Sequence, residues 1–296
     1  MDLNGLRQFL VVARLEHLSR AADELRVAQP SLSRTIARLE HELGAPLFDR
    51  AGRLRLNDAG RLFRGHVERS LGALDAGRRA VAEAADAGVG TVRLASETFL
   101  TLTGPLTAYK RAHPDVEVEL RWTPAEEMAR RLRSQDVDLC VASQPVDAAG
   151  LESMQLLDEA VVLATPLDHP LAGRASVTVG ELAGEPFVVA RRGHWQRRLL
   201  DRLFGARGLT AKVACEVDEL VAIADLISAG LGIGLVPDMA RHTATHTPLT
   251  WVPVDAPDCR RRLTLFWSAD SHLSTAARLM RTAITDWNWE NPRDDA

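Results

Sequence analysis

The sequence predicts an α/β protein in which a helical N-terminal unit precedes a larger region of alternating strands and helices. Three observations lead to this fold class. Apolar residues recur at helical spacing through the first 45 residues. Gly88 and Gly90 mark a boundary, and strand and helix patterns alternate beyond it, which is typical of a mainly parallel sheet. The length of 296 residues, 46% of them hydrophobic, corresponds to about two domains.

Charge is distributed unevenly along the chain. Residues 1–70 contain 12 arginines and 9 acidic residues, although the whole chain has a net charge of −4. A basic N-terminal unit on an acidic body indicates a nucleic-acid partner at one end. No apolar run is long enough to span a membrane and no signal-peptide pattern is present, so we expect a cytoplasmic protein. The odd number of cysteines (Cys140, Cys215, Cys259) predicts reduced thiols rather than a disulfide or metal framework.

The first 45 residues predict three helices. The first carries apolar residues between Leu3 and Ala13. Ser19 is the expected N-cap of a short second helix over Arg20–Arg26. Pro30 suits the first turn of the third helix, and Gly44 suits its end. The third helix has an apolar stripe of Leu32, Ile36, Leu39 and Leu43, and its opposite face carries Ser31, Arg34, Arg38 and His41.

A short helix, a tight turn and an amphipathic helix form a helix-turn-helix, whose second helix enters the major groove of DNA. Periodicity alone leaves open that this polar face is the solvated side of a small helical bundle. The runs 47–50 and 53–56 predict a β-hairpin, a wing whose arginines can lie along phosphates. The candidate DNA-contacting residues are Ser19, Gln29, Pro30, Ser31, Ser33, Arg34, Thr35, Arg38, Arg50 and Arg53.

A long helix follows the wing. Asn57 or Asp58 can cap it, and it continues to about Ala87. Its apolar positions include Leu62, Val67, Leu71, Leu74 and Val81. Glycines within it weaken it in isolation, so we expect it to pack against another helix.

Alternating elements fill the rest of the chain. The predicted strands are Thr91–Ala95, Val116–Trp122, Asp138–Ala142, Glu159–Ala164, Phe187–Ala190, Lys212–Val217, Leu231–Val236 and Leu263–Trp267. The predicted helices are Leu102–Ala112, one that follows a capping box at Thr123–Glu126 and continues to Ser134, Gln196–Ala206, Asp218–Ala229 and Ser274–Trp287. The two cycles of strands and helices suggest two similar lobes.

Polar side chains follow several of these strands. Ligands of open α/β sheets bind beyond the carboxyl ends of the strands, where hydroxyls and helix N-termini suit a carboxylate or phosphate. The candidate effector-binding residues are Ser96, Thr98, Thr123, Ser143 and Arg191. Serine and threonine in loops are often only helix caps, and that alternative stays open. Glu97 would disfavour an anionic ligand if its side chain points inward.

Motifs of other functions are weak or missing. The glycines at 230, 232 and 234 follow a helix and precede a strand, which is the wrong order for a dinucleotide loop. His242 and His246 lie four residues apart without a third ligand nearby, so we predict no metal site. Neither a Walker phosphate loop nor a nucleophile elbow is found, so neither a cofactor nor enzyme activity is predicted.

Many segments together resemble the LysR-type transcriptional regulators, over nearly the whole chain. In the N-terminal unit these are Ser19–Leu25, Gln29–Ile36, Leu39–Glu40, Leu43–Gly44, Leu47–Arg50 and Leu56–Gly60. Further segments are Arg111–Val116 and Ala229–Pro237. Two positions depart from the family pattern: Asn57 stands where the family usually has threonine, and Leu18 where it often has an aromatic residue.

The resemblance implies a domain organisation. A winged helix-turn-helix would occupy residues 1–58, a dimerisation helix 59–89, and an effector-binding domain 90–296. That domain would resemble type 2 periplasmic binding proteins, with two α/β lobes joined by crossing strands. Lobe 1 would take about 90–161 and 268–296, and lobe 2 about 162–267.

The resemblance also implies partners. Such proteins bind dyad-symmetric promoter DNA as homodimers and homotetramers, respond to a small-molecule effector between the lobes, and contact RNA polymerase. The residues leave two rivals, a solute-binding protein and an enzyme on the same two-lobed fold. The helix-turn-helix and the missing signal peptide argue against the first, and the missing catalytic motif argues against the second.

Overall fold

The N-terminal unit consists of three short helices, a two-stranded wing and a long helix. The computed structural model describes residues 1–49, 53–85, 90–219, 221–242, 248–269 and 273–289. The elements of this unit are α1 (Leu3–Leu15), α2 (Leu18–Leu25), α3 (Gln29–Leu43), β1 (Phe48–Asp49), β2 (Arg55–Leu56) and α4 (Asp58–Ala85). The predicted helix-turn-helix and hairpin are confirmed.

The caps of these helices confirm three predictions and correct one. His17, not Ser19, caps α2, because its backbone is extended and its Nδ1 accepts a hydrogen bond from the N–H of Arg20 at 3.3 Å. Ser19 therefore lies inside the helix. Pro30 lies in the first turn of α3, and Gly44 ends that helix with a φ of 70°. Asn57 caps α4 by accepting from the N–H of Gly60 at 2.8 Å.

Two glutamates hold the wing on the helices. The N–H of Leu47 donates to Glu40 Oε1 at 2.8 Å, and the N–H of Leu56 donates to Glu16 Oε1 at 2.9 Å. These bonds satisfy backbone groups that would otherwise be buried without partners. Beneath the wing, the ring of Phe9 lies 5.7 Å from that of Phe48. The wing is thus fixed relative to α3.

The rest of the chain forms two lobes joined by two strands. Lobe 1 contains β3 (Thr91–Ser96), α5 (Thr103–Ala112), β4 (Glu117–Trp122), α6 (Ala125–Arg133), β5 (Leu139–Ala142) and α9 (Thr275–Thr285). Lobe 2 contains β7 (Pro186–Ala190), α7 (Trp195–Gly205), β8 (Lys212–Val217), α8 (Ala222–Ser228), β9 (Gly234–Pro237) and β10 (Thr250–Pro253). The crossing strands are β6 (Leu151–Thr165) and β11 (Arg260–Ser268). Each lobe has its own hydrophobic core.

The crossing strands make the sheet mixed rather than mainly parallel. The strand order is β10-β6-β11-β5-β3-β4, with β9 also paired to β6, and β7 and β8 form a separate parallel pair. In lobe 1, β3 is parallel to both β4 and β5. The strand β11 is antiparallel to β5 and β6, and β6 is antiparallel to β9 and β10. The two strands that join the lobes are therefore antiparallel to each other.

Several element boundaries differ from the predictions. The strand β6 begins at Leu151 rather than Glu159, because its first part is exposed and polar and gives no apolar signal. The short strand β10 was not predicted. The helix α6 begins at Ala125 after Pro124, and no side chain caps it, so the predicted capping box is wrong. The helix α8 begins at Ala222 rather than Asp218.

Two predictions from composition can also be compared with the structure. The cysteines Cys140, Cys215 and Cys259 are unpaired, as predicted. Burial raises the pKa of the Cys259 thiol to about 12, which keeps it protonated. Among the residues that the structure describes, no helix is long and apolar enough to cross a membrane.

The contact between α4 and the wing generates a test of the fold. A Cβ on Gly60 would lie 2.1 Å from the carbonyl oxygen of Leu47, so Gly60→Ala must displace backbone. We expect it to lower the free energy of unfolding by about 1–3 kcal/mol, measured by urea unfolding. Gly65→Ala on the same helix is the control, because its new methyl meets only the flexible end of Arg69 at 3.6 Å. Equal effects of the two changes would contradict this packing.

Candidate functional site

The outer face of α3 displays the residues predicted to contact DNA. Gln29, Pro30, Ser31, Arg34 and Arg38 are exposed, and Ser33 and Thr35 are half-buried. Outside α3, Ser19 and the wing residue Arg53 are exposed, whereas Arg50 lies outside the described residues. Most of the candidate residues are thus exposed or half-buried on the helix-turn-helix and its wing.

The two arginines of this face are held differently. The Nε of Arg34 donates only to the carbonyl oxygen of Pro30 on its own helix, at 3.3 Å. In the described part of the chain it has no acidic partner. Arg38 lies 2.9 Å from Asp2, whose carboxylate also caps α1 through the N–H of Gly5. The hydrogen bond from Gly5 lowers the pKa of Asp2, and Arg38 acts in the same direction.

A cavity of about 190 Å³ lies between the lobes. Lobe 1 contributes the segment from Thr98 to Thr101, which follows β3, and the crossing strand β11 contributes Arg261. Lobe 2 contributes the start of α7, the helix α8 and the segment after β9. Most of the wall is apolar, including Trp195, Ile223 and Trp251, and Asp225 lies on the same wall. This is the composition of a small-molecule site, in which a few polar groups orient an apolar ligand.

A buried ion pair joins the crossing strands at this cavity. Arg261 and Glu159 are directly opposite in the antiparallel pairing of β11 and β6, and their side chains are 2% and 9% exposed. The Nε of Arg261 donates to Glu159 at 2.8 Å, and Nη1 donates to the Thr101 hydroxyl at 3.2 Å. The guanidinium also stacks 5.2 Å from the ring of Trp195. Arg261 thus connects both lobes with the strands between them.

Glu97 forms a second polar cluster at the seam between the lobes. The carboxylate of this buried residue accepts hydrogen bonds from the N–H of Ser143 and from the Gln144 amide, the latter at 2.6 Å. Gln144 donates in turn to the carbonyl oxygen of Gly193 in lobe 2, at 3.1 Å. Burial raises the pKa of Glu97, although the bonds from Gln144 and Ser143 favour the charged form. Beside it, burial lowers the pKa of His194 to about 4, which keeps that ring neutral near pH 7.

Of the five predicted effector-binding residues, Thr98 lines the cavity and the other four do not. The buried Ser96 hydroxyl donates to the Val141 carbonyl oxygen at 2.9 Å and accepts from the N–H of Thr98. Thr123 is fully buried, with its hydroxyl 3.5 Å from the Arg121 carbonyl oxygen. The Ser143 hydroxyl is buried and has no hydrogen bond within the described residues.

Arg191 of lobe 2 contacts lobe 1 and does not line the cavity. It forms an exposed ion pair with Asp218 at 3.2 Å and stacks 4.9 Å from the ring of Trp122 in lobe 1. Its assignment to effector binding stays a prediction, as do those of the other four residues.

The predicted absence of a metal site concerns His242 and His246, and His246 lies outside the described residues. Elsewhere in the described chain, no group of three histidines, cysteines or carboxylates could hold a metal.

Sequence reasoning missed the most informative residues of the cavity. Arg261 and Glu159 lie 102 positions apart, so no local motif joins them. Trp195, Asp225 and Trp251 lie on elements whose signal is that of ordinary core packing. The alternation of polar and apolar residues in β11 is the one signal that could have directed attention to a buried Arg261.

The geometry defines a class of protein. A helix-turn-helix head, a long helix and a two-lobed domain with a cavity between its lobes are the parts of a DNA-binding regulator that responds to a small molecule. Two family models agree with this. The model of the bacterial regulatory helix-turn-helix protein, lysR family, matches residues 3–61, and that of the LysR substrate binding domain matches residues 85–289.

Relatives and solved structures agree as well. The uncharacterized HTH-type transcriptional regulator YybE of Bacillus subtilis is 31% identical over 288 residues, which cover 96% of this chain and 98% of YybE. A full-length OxyR variant from Pseudomonas aeruginosa has a TM-score of 0.64 at 23% identity, covering 96% of this chain and 94% of that one. Full-length CbnR in complex with its target DNA has a TM-score of 0.61 at 20% identity, and the match covers 96% of this chain and 99% of CbnR.

The chain belongs to the LysR family of transcriptional regulators. It is a sequence-specific DNA-binding regulator of the LysR type whose activity is modulated by a small molecule. The family consists of regulators, not enzymes, so the solute-binding protein and the enzyme considered above are both excluded.

The buried pair generates a stability test. Arg261→Met leaves the Glu159 carboxylate buried without its partner, and we expect a loss of about 3–5 kcal/mol in the free energy of unfolding. The double change Arg261→Met with Glu159→Met removes both charges and should lose much less. Arg260→Met is the matched control, because Arg260 pairs with Asp158 at an exposed position and should cost less than about 1 kcal/mol. A double variant as unstable as the single one would contradict the account.

Proposed function

We propose that the chain binds dyad-symmetric promoter DNA through α3 and the wing, and that a small molecule in the interlobe cavity changes this binding. The observation that carries the proposal is the exposed face of α3, where Arg34 lacks an acidic partner in the described chain. A guanidinium without an ion pair can donate to a guanine edge or a phosphate without first breaking one.

The proposed domains are residues 1–58 for DNA binding, 59–89 for dimerisation and 90–296 for effector binding. Because its partner is chromosomal DNA, we place the protein in the cytoplasm.

The proposed residues have distinct roles on the DNA. In helix-turn-helix proteins the first residues of the second helix reach the base edges, so Gln29, Ser31 and Ser33 are candidates beside Arg34. Arg53 on the wing is suited to phosphates, which position the protein without reading sequence. Arg38 on the same helix is exposed but already forms an ion pair with Asp2.

Arg34→Ala tests the role of α3. Loss of a base or phosphate contact should weaken operator binding by about 1–3 kcal/mol while circular dichroism stays unchanged. The measurement is a gel shift on a genomic fragment selected by the wild-type protein, with scrambled DNA beside it. Arg174→Ala removes an arginine from lobe 2, where it pairs with Glu181, and is the charge-matched control. Unchanged affinity of Arg34→Ala for both DNAs would remove Arg34 from the interface.

The long helix α4 supports a dimer. It leaves apolar side chains in solvent, with Leu62 at 69%, Leu74 at 48% and Val81 at 72% exposure. A second copy of α4 would cover them and present two α3 helices to half-sites about one helical turn, or multiples of it, apart. The strand β4, which lies at the end of the sheet, also exposes Leu120 and Trp122. We propose that such effector-domain surfaces join dimers into a homotetramer.

The oligomer has its own test. A full chain with Leu62→Glu and Val81→Glu puts charges into the proposed helix pair, so we expect dissociation at micromolar concentration in analytical ultracentrifugation. Operator affinity should fall with it, because two linked heads bind more tightly than one. Leu167→Glu is the control, since Leu167 in lobe 2 is 60% exposed and is not part of α4. A monomeric wild-type chain, or an unchanged double variant, would contradict the assembly.

The helix α6 offers a route from the cavity to the head. At its start, Glu126 forms an ion pair with Arg198 of lobe 2 at 3.3 Å. After its end, Ser134 lies against α4 so closely that a Cβ on Gly72 would be 2.3 Å from the Ser134 carbonyl oxygen. A change in the angle between the lobes can therefore shift α4 and the heads that it carries. We propose that RNA polymerase senses the resulting change on the promoter.

A further inference from the structure

We propose that the interlobe cavity takes an apolar effector of about one ring that carries a protonated amine, and that it disfavours carboxylates. The inference rests on the proposed function and adds the chemical class of the effector. It depends on four properties of the cavity: its size, its apolar wall, the engagement of its arginine, and the charge of Asp225.

Size and polarity set the body of the ligand. An apolar cavity of about 150 Å³ is enough to hold benzene. The interlobe cavity has a volume of about 190 Å³ and is walled mainly by apolar side chains, with Trp195 and Trp251 among them. It therefore has room for a ring with a short chain. Binding such a body removes apolar surface of both partners from water.

The guanidinium of Arg261, which lines the cavity, already forms hydrogen bonds within the protein. Arg261 directs Nε and Nη2 at Glu159, Nη1 at Thr101, and a face of its guanidinium at Trp195. Its Nη2 also lies 3.0 Å from the Met239 sulfur. The positive charge is balanced by Glu159, and few donors remain for a ligand. A carboxylate entering the cavity would meet a neutral ion pair rather than a free cation.

The donors at the seam are engaged too. Glu97 accepts the hydrogen bonds of the Ser143 N–H and of the Gln144 amide, so a carboxylate of the protein itself already uses these two donors. An effector carboxylate near the seam would compete with Glu97 for these donors and would be repelled by its negative charge. The neutral ring of His194 offers no positive charge to offset that repulsion.

Asp225 supplies the charge that selects an amine. It is half-buried on α8 and lines the cavity. Within the described chain it has no ion pair or side-chain hydrogen bond. An ammonium group could form a charge-assisted hydrogen bond with this carboxylate. Among the described lining residues, Asp225 is the charged group whose charge is not balanced by a neighbour.

Three probes with one aromatic body separate the possibilities. We propose isothermal titration of the full-length protein with 2-phenylethylamine, 2-phenylethanol and phenylacetate, with tryptophan fluorescence as a second readout because two tryptophans line the cavity. The amine should bind about tenfold more tightly than the alcohol, and the carboxylate most weakly. Asp225→Asn should remove the advantage of the amine and leave the affinity for the alcohol unchanged. Asp168→Asn, which removes an exposed carboxylate of lobe 2 outside the cavity, should leave all three affinities unchanged.

The outcomes separate this inference from the proposed function. Tighter binding of phenylacetate than of the amine, binding of none of the probes up to millimolar concentration, or an amine preference that survives Asp225→Asn would each overturn the inference. A gel shift of Asp225→Asn on a selected genomic fragment, without any probe, reports on DNA binding alone. If the wild-type chain itself did not bind DNA, that result would contradict the proposed function, whether or not the probes bind in the cavity.

Discussion

The buried ion pair between Arg261 and Glu159 is the interaction on which the two-lobed domain depends. It joins β11 to β6, the strands that pass between the lobes, and it reaches Thr101 of lobe 1 and Trp195 of lobe 2. Burying two charges is costly unless each has its partner and its hydrogen bonds, so this pair tolerates only a narrow range of geometries. The crossing strands therefore act as a fixed base, and the lobes above them can differ in angle. Because residues of both lobes line the cavity, a change in the angle between the lobes would change its shape.

A ligand can control the DNA-binding head only by binding one arrangement of the lobes better than another. The contacts across the seam belong to the arrangement seen in this structure: Gln144 with Gly193, Arg191 with Trp122, and Glu126 with Arg198. These three contacts are polar or exposed, so each contributes little to the stability of this arrangement. The backbone of Gly72 in α4 lies close to the backbone of Ser134 after α6. A movement of α6 would therefore move α4 as well, because no flexible side chain separates the two.

Local sequence patterns predicted most of the head and much of the sheet, because their signals lie within a few residues. The stripe on α3, the turn at Gly44 and the cap at Asn57 are examples. The site was predicted less well. Strand ends led to Ser96 and Thr123, whose hydroxyls lie near backbone carbonyls, while the cavity is built by residues brought together over long separations in sequence. Sequence alone does not show that Arg261 and Glu159 meet or where the Glu97 carboxylate points.

The central claim is that the interlobe cavity controls how the heads lie on DNA. Its most direct test is a DNase I footprint of the full chain on a genomic fragment that it selects, compared with the footprint of Ala224→Trp. Ala224 lines the cavity, so the large side chain fills it as a bound effector would. We expect both proteins to protect the same half-sites but to differ in the length of the footprint or in the cleavage between half-sites. Identical footprints from two equally folded proteins would contradict it.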